Sequence, residues 1–385
     1  MRTITTTDDL AEFCRQAAAG PYVTIDTEFL RERTYWSKLC LVQMALPGDG
    51  EAVLVDPIVG GEEMSLQPLF DLMGETGTVK VFHAARQDLE IFHHEGGVLP
   101  EPLFDTQVAA MVCGFGEQAG YETLVRKIAK GTVDKTSRFT DWSRRPLTDA
   151  QKAYALADVT HLRVVYEHLA AELDRSGRRG WVEEELGVLT DPATYVIEPE
   201  DAWRRVKTRT NSGRFLATVR ELARFRETYA QERNVPRNRV FKDDALLELA
   251  STKPASLADL GRSRLLLREA RKGPIAEGIL QAVADGLAAP REDWPEVDDR
   301  RDRLQVNPAL ADLLRVLLKA KAEEAEVAQK LIASAADLDA IAAGERDAAA
   351  LRGWRHEVFG ADALRLCEGE IALTAQGAQV RVVPL

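Results

Sequence analysis

The chain has 385 residues, and at roughly 150 residues per domain that length predicts two or three domains. Its 45% apolar content is ample for sizeable cores, and its 29% charged content is normal for a soluble protein. Taken whole, 50 basic against 62 acidic residues, a net charge of −12, speaks against a nucleic-acid or anionic-membrane partner, because phosphate binding rests on basic surface. Cys14, Cys40, Cys113 and Cys367 form no C-x-x-C pair, which argues against a disulfide framework or a zinc knuckle. The opening residues 1–9 have no apolar stretch of signal-peptide type, and no uncharged apolar run approaches the ~18 residues of a membrane span. A reducing cytoplasm is the expected location.

Residues 1–176 alternate between strand and helix signals. Strands are expected over 22–29, 39–46, 51–56 and 79–82, with Pro47-Gly-Asp-Gly50 marking a tight turn between antiparallel neighbours. Helical patterns follow over 84–94, 105–112, 121–129 and 148–173. The sum is an α/β unit, a small mixed sheet with helices packed on it. From 177 to 210 the strand signals stop, and Gly177, Gly180, Asp191-Pro192 and Glu198-Pro199 read as a connecting segment.

Residues 211–290 read as a small all-helical unit. Leu216, Val219, Leu222, Phe225 and Tyr229 recur at helical spacing until Asn234-Val-Pro236 breaks the pattern. Asp243 and Ser256 are expected N-caps of later helices. Residues 291–300 read as a polar linker. A second helical unit, 300–370, carries Leu313, Leu317, Leu331, Leu338, Leu351 and Trp354 as landmarks, and two such units in succession suggest a degenerate repeat. Residues 371–385 are left as a C-terminal tail.

The sharpest chemical feature is in the first long strand. Asp26 and Glu28 sit two apart, so their side chains leave the same face of a strand whose neighbours Val23, Ile25 and Phe29 are apolar. Two adjacent carboxylates there repel each other and lose hydration unless a cation offsets them. Taken alone, the pair is equally met by a strand that ends at Asp26, leaving Glu28 in solvent. Asp88 falls in the early turns of a helix that follows a strand, where it could simply complement the helix dipole. Tyr154 and Asp158, at i and i+4, share one face of a long helix, and the tyrosine could equally be core. Jointly, three segments of one α/β unit each present an acid. Oxygen-only ligands point to Mg²⁺ or Mn²⁺ rather than zinc, and the six histidines form no ligand cluster.

In these motifs the chain resembles the DEDD superfamily of 3′→5′ exonucleases, in the tyrosine subclass typified by bacterial ribonuclease D. Asp26-Thr-Glu28, His83-Ala-Ala-Arg-Gln-Asp88 and Tyr154-Ala-Leu-Ala-Asp158 match the three family motifs in order, and Asp141-Trp-Ser-Arg-Arg-Pro-Leu-Thr148 resembles the segment leading into the third. The resemblance implies a ribonuclease-H-like domain over 1–176 with a mixed sheet of about five strands. It implies two divalent metal ions, Mg or Mn, that clamp the attacking and leaving oxygens of a phosphodiester from about 3.5–4 Å apart. Asp26 would bridge them, Glu28 and Asp158 would complete one site, Asp88 would hold the other through water, and Tyr154 would aim the attacking water.

The helical units extend the resemblance. Arg224-Phe-Arg-Glu227, Asn234-Val-Pro-Arg237, Asp243, Leu246, Pro254 and Ser256-Leu257 match the HRDC domain over 211–290. Asp337-Leu338 and Leu351-Arg-Gly-Trp-Arg355 make 300–370 look like a second, divergent HRDC unit that lacks the Asn-Val-Pro turn. Charge divides along the same lines. Residues 1–202 hold 19 basic and 34 acidic residues, 203–280 hold 18 and 9, and 292–385 hold 12 and 18. A basic module beside an acidic nuclease suits a substrate held by its phosphates. The expected activity is a metal-dependent 3′→5′ exoribonuclease acting on RNA with a single-stranded 3′ end, with tRNA precursors implied by the family. The competing readings are a DNA 3′→5′ exonuclease, against which the chain has no polymerase and no P-loop helicase motif, and a catalytically silent RNA-binding scaffold.

Overall fold

A computed structural model describes residues 1–134, 137, 140–210, 212–296 and 305–385. Strands β1 (Arg2–Ile4), β2 (Tyr22–Leu30), β3 (Lys38–Ala45), β4 (Ala52–Val55), β5 (Val79–Phe82) and β6 (Leu103–Asp105) form one mixed sheet in the order β1-β4-β3-β2-β5-β6. The meander β2-β3-β4 is antiparallel, whereas β5 runs parallel to β2 and β6 parallel to β5. The sheet has six strands rather than the expected five or so. β1 and β6 are three residues each, too short to carry an alternating pattern.

Strand β3 is buried along all but its first residue, as a run of Leu, Cys, Val and Met requires when both faces of a sheet are covered. Leu10, Phe13 and Ala17 of α1 (Thr7–Ala18), Leu69 and Leu72 of α2 (Gln67–Met73) and Leu89 and Phe92 of α3 (Arg86–Gly96) bury with Val23 and Ile25 of β2. Beyond the short helix α4 (Thr106–Val112), the long helix α5 (Asp149–Ser176) meets the opposite face. There Ala155 packs with Cys40, Leu41 and Leu54, and the Thr24 hydroxyl donates to the Val159 carbonyl at 2.8 Å. The start of α5 is set by a capping box between Thr148 and Gln151.

Residues 177–210, expected to connect the units, are packed along their length. Val182 and Leu186, one turn apart on α6 (Arg179–Thr190), bury in the nuclease core with Tyr195. Ala202 and Trp203, in a 3-10 stretch over Pro199–Arg205, bury instead in the core of the first helical unit. The segment is thus divided between two cores.

That unit contains α7 (Gly213–Glu232), α8 (Asp243–Thr252), α9 (Leu257–Arg262) and α10 (Gly273–Ala288). Helices α7 and α10 cross so closely that a Cβ on Gly286 would lie 2.5 Å from the Thr218 Cα. Ser256 caps α9 as expected, but Lys242 occupies the N-cap of α8. Asp243 is the first helical residue, and its carboxylate pairs with buried Arg226 at 2.7 Å.

The second unit repeats the same succession in abbreviated form. A long helix, α11 (Pro308–Ala325), leads to a one-turn helix and then to the Ser334-capped α12 (Ala335–Ala342). Both units enter their last helical segment through a left-handed glycine, Gly273 at φ +64° and Gly353 at φ +51°. Leu314 rather than Leu313 faces the core, and Leu313 is exposed. Residues 300–304 of this unit and 297–300 of the expected linker lie outside the described residues. The linker's earlier part is anchored, with Arg220 donating to the Asp293 carbonyl at 2.8 Å and the Trp294 indole donating to the Ala289 carbonyl at 3.0 Å.

The expected tail is a hairpin. β7 (Ile371–Gln376) and β8 (Gln379–Pro384) pair antiparallel around Gly377, whose φ of +63° the tight turn requires, and Leu373 and Val382 pack against the core of the second unit.

Both helical units dock on the nuclease. In the β2–β3 loop, the backbone N–H groups of Tyr35 and Trp36 both donate to Asn234 Oδ1 at 3.0 Å. The Tyr35 hydroxyl donates to fully buried Glu227, and Gln231 Nε2 donates to that hydroxyl at 3.2 Å. On the other side Trp181 stacks on Trp354 with centroids 4.5 Å apart, and Arg355 pairs with Glu184 and Glu185. The Asn-Val-Pro turn therefore serves as a latch, with Asn234 held at φ +49°. Asn234→Gly should cost about 1–3 kcal/mol through the lost acceptor. Asn234→Ala should cost about 1 kcal/mol more, because alanine resists the left-handed backbone. Urea midpoints that fall equally for the two variants would contradict this account.

Candidate active site

Alternation along β2 puts Thr24, Asp26 and Glu28 on the face that meets α5 and puts Ile25 and Thr27 on the other. The strand continues to Leu30, with a register shift only after Glu28, so Glu28 is held by pairing to β3 opposite Leu41. Asp158 of α5, next to Val159, arrives over the same face. Carboxylate oxygens of Asp26, Glu28 and Asp158 all lie within 4.8 Å of one another. From the other side of the strand, the Thr27 hydroxyl donates to buried Asp88 of α3. The structure thus brings three of the four expected acids into one cluster and sets the fourth beside it, one strand residue away.

Burial pushes the Asp26 carboxyl up to about 6. Asp88 is raised well above the ordinary carboxylate range, first by burial and then by the charge of Asp26. These shifts measure the cost of the arrangement, since each ionised acid loses water and faces another of like charge. A hard divalent cation with oxygen ligands would relieve both costs, and Asp26, Glu28 and Asp158 could hold one.

Tyr154, one turn before Asp158, hydrogen-bonds the Asp158 carboxylate, and its phenol is pushed up by burial and then by the charges of Asp158, Glu28 and Asp26. It therefore keeps its proton at neutral pH. Its ring leans on the Trp142 indole, with centroids 6.0 Å apart. Trp142 is fixed in turn by Arg145, which binds Asp56 through two nitrogens at 2.6 and 2.7 Å and donates to the carbonyls of Cys40 and Trp142 at 2.7 Å.

Several participants carry no signal in the sequence. Gln43 sits directly across from Asp26, fully buried, and its amide has no hydrogen-bond partner among the described residues. Asp105 accepts from the backbone N–H groups of Ala84 at 3.0 Å, Ala85 at 2.8 Å and Gln107 at 2.7 Å. It thereby holds the corner at Ala84, φ +56°, from which α3 presents Asp88. Tyr121 donates to the Asp158 carbonyl and packs on His83, and with Tyr154 and Asp26 they line a cleft of about 370 Å³. His83, immediately after β5, is a wall of this cleft. A buried acid cross-strand from a glutamine, or a cap three elements away, has no local pattern in sequence.

The Asp56–Arg145 pair is the strut under Tyr154. Side-chain exposure is 4% for Asp56 and 15% for Arg145, so Arg145→Ala strands a buried carboxylate. A loss of about 3–5 kcal/mol is expected in chemical denaturation. A loss under about 1 kcal/mol, the value of a surface pair, would count against this role.

The comparisons agree with this fold and order of domains. The family model described as 3′-5′ exonuclease matches residues 1–174, and that of the HRDC domain matches residues 215–283. A ribonuclease D of Jannaschia sp. (strain CCS1) is 66% identical over 99% of both chains. One of Granulibacter bethesdensis is 48% identical over 99% of this chain and 96% of its own. Escherichia coli RNase D, described as an exoribonuclease involved in structured RNA processing, superposes with a TM-score of 0.80 at 30% identity, over 96% of this chain and 98% of that one. The catalytic core of RRP6 from Trypanosoma brucei shares the fold at 21% identity and a TM-score of 0.57, over 74% and 79% of the two chains. With such identity along its whole length, and with a 3′-5′ exonuclease domain followed by an HRDC domain, this chain belongs to the ribonuclease D family of 3′→5′ exoribonucleases.

Proposed function

We propose that the chain removes nucleotides from the single-stranded 3′ ends of structured RNA, with tRNA precursors as substrates, by hydrolysis that depends on two divalent ions, Mg²⁺ or Mn²⁺. The observation that carries this reading is the approach of Asp26, Glu28 and Asp158 within 4.8 Å on one sheet face. Asp26 would be shared by both ions, Glu28 and Asp158 would serve one, and Asp88, bound to Thr27, would serve the other through water. Such ions supply Lewis-acid polarisation of the phosphodiester and a water of near-neutral pKa.

The protein's own part is orientation. Tyr154, anchored to Asp158 and braced by Trp142, holds its proton and directs the attacking water by hydrogen bonding rather than by removing a proton. Attack forms a new P–O bond and breaks the bond to the 3′ oxygen of the preceding nucleotide, which takes up a proton. The phosphate stays on the 5′ oxygen of the released unit, so the products are nucleoside 5′-monophosphates. The cleft walls, His83 and Tyr121 on one side and Tyr154 on the other, flank the terminal nucleotide in this reading.

Asp26→Asn should fold as the parent does, yet release no mononucleotide from a 5′-labelled RNA with Mg²⁺. Mn²⁺ should raise the thermal midpoint of the parent and not of the variant. Parent-like turnover by Asp26→Asn would overturn the metal assignment. Tyr154→Phe should lower kcat on the order of 10²-fold with little change in KM, the pattern of a misaligned nucleophile. A rise in KM alone would make Tyr154 a binding residue instead.

A further inference from the structure

A second cleft, of about 430 Å³, opens where the nuclease meets the first helical unit. Four guanidinium groups converge on it from segments far apart in the chain: Arg31 just beyond β2, Arg205 at the end of the 3-10 stretch, Arg226 on α7, and Arg237 after the Asn-Val-Pro turn. Their carboxylate partners are fewer. Arg31 meets Glu90 at 2.9 Å, Arg226 meets Asp243 at 2.7 Å, and Arg237 meets buried Glu227 at 3.5 Å. Arg205 has no ion-pair partner among the described residues, so the cleft keeps a net positive charge. Its walls are held by the Tyr35–Asn234–Glu227 latch, so the arginines are assembled before any ligand arrives.

We infer that this cleft binds backbone phosphates of the RNA strand upstream of the bond being cut, with Arg31 and Arg205 as the principal phosphate ligands. The inference rests on the exoribonuclease reading above and adds a second anchoring point to it. Arg31 directly follows β2, five residues beyond Asp26 and at most about 16 Å from it at strand rise, so β2 ties the acid cluster to the cleft. The nuclease around the acids is itself strongly acidic and repels a polyanion, whereas the segment 203–280, with 18 basic and 9 acidic residues, supplies the opposing charge. Guanidinium groups suit this task because their planar forks meet phosphate oxygens in pairs.

The test separates the cleft from the chemistry. Binding of 5′-fluorescein-labelled decamers is read by anisotropy in EDTA, where no hydrolysis is needed. The Arg31→Ala/Arg205→Ala double variant, with its thermal midpoint checked, should bind the RNA decamer at least tenfold more weakly. The slope of log K against log salt should also flatten by about 0.7 for each phosphate that is no longer bound. A matched DNA decamer should lose affinity equally, since phosphates are common to both. In Mg²⁺, the parent should prefer a decamer to a dinucleoside monophosphate, whose single phosphate is the one being cut and leaves none for the cleft. The ratio of kcat/KM for the two substrates should fall about tenfold in the double variant. Arg205→Lys should restore part of the salt slope. Unchanged affinity and slope would overturn the proposal, as would a loss confined to RNA, which would make the cleft a reader of 2′-hydroxyls. If the parent bound the decamer through these arginines yet cut neither substrate, the exoribonuclease reading would fall and the cleft would stand.

Discussion

Three carboxylates forced together between a half-buried strand and the long helix over it set the terms for the rest of this molecule. Asp26, Glu28 and Asp158 lie within 4.8 Å of one another, with Asp88 close enough for its acidity to respond to Asp26. In water such groups would separate. Here β2 is paired on both sides and cannot slip, because a one-residue shift would turn its acids to the opposite face. Helix α5 is capped at Thr148, joined to β2 through Thr24, and packed into two cores along its length. The repulsion is therefore held in place rather than relaxed, and in the proposed function a divalent cation would relieve it.

The supporting parts follow from the need to hold that geometry. Asp105 gathers the N–H groups of the Ala84 corner so that α3 delivers Asp88. Arg145 and Asp56 pin the loop that sets Trp142 against Tyr154. Both use a buried charge satisfied by several hydrogen bonds, a motif that fixes direction more strictly than apolar contact does. The same logic reappears at the junction of units, where Asn234 and Glu227 lock the loop that leaves the far end of β2. One strand thus carries two of the clustered acids along its length and a domain joint at its end.

The net charge of −12 loses its apparent meaning once it is divided in space. Acid is concentrated in the nuclease unit that holds the cluster, while arginines from four places in the chain meet in the second cleft. Only the fold decides that Arg31, Arg205 and Arg237 are neighbours, since the first two stand 174 positions apart in the chain. The charge segmentation in sequence points to the basic unit but not to a place on it.

The sequence by itself determined the elements with strong local pattern: β2 to β5, the long helix α5, the Ser256 cap and the acid motifs, whose spacing leaves few options for strand and helix faces. It left α1 unread although Thr6 and Asp9 form its capping signal, because the strand that precedes it is only three residues long. The Gly377 turn of the hairpin is likewise visible, but a lone hairpin is convincing only when something covers it, here the second unit's core. Residues 177–210 look like a connector because punctuation by Gly and Pro outweighs two apolar residues one turn apart. What the tertiary structure alone decided were the long-range partners: Gln43 across from Asp26, Asp105 beneath Ala84, Arg145 on Asp56, and Tyr35 in the grip of Asn234. Such pairings join residues tens to hundreds of positions apart. Their energy comes from burial and desolvation, which exist only after the chain has closed around them.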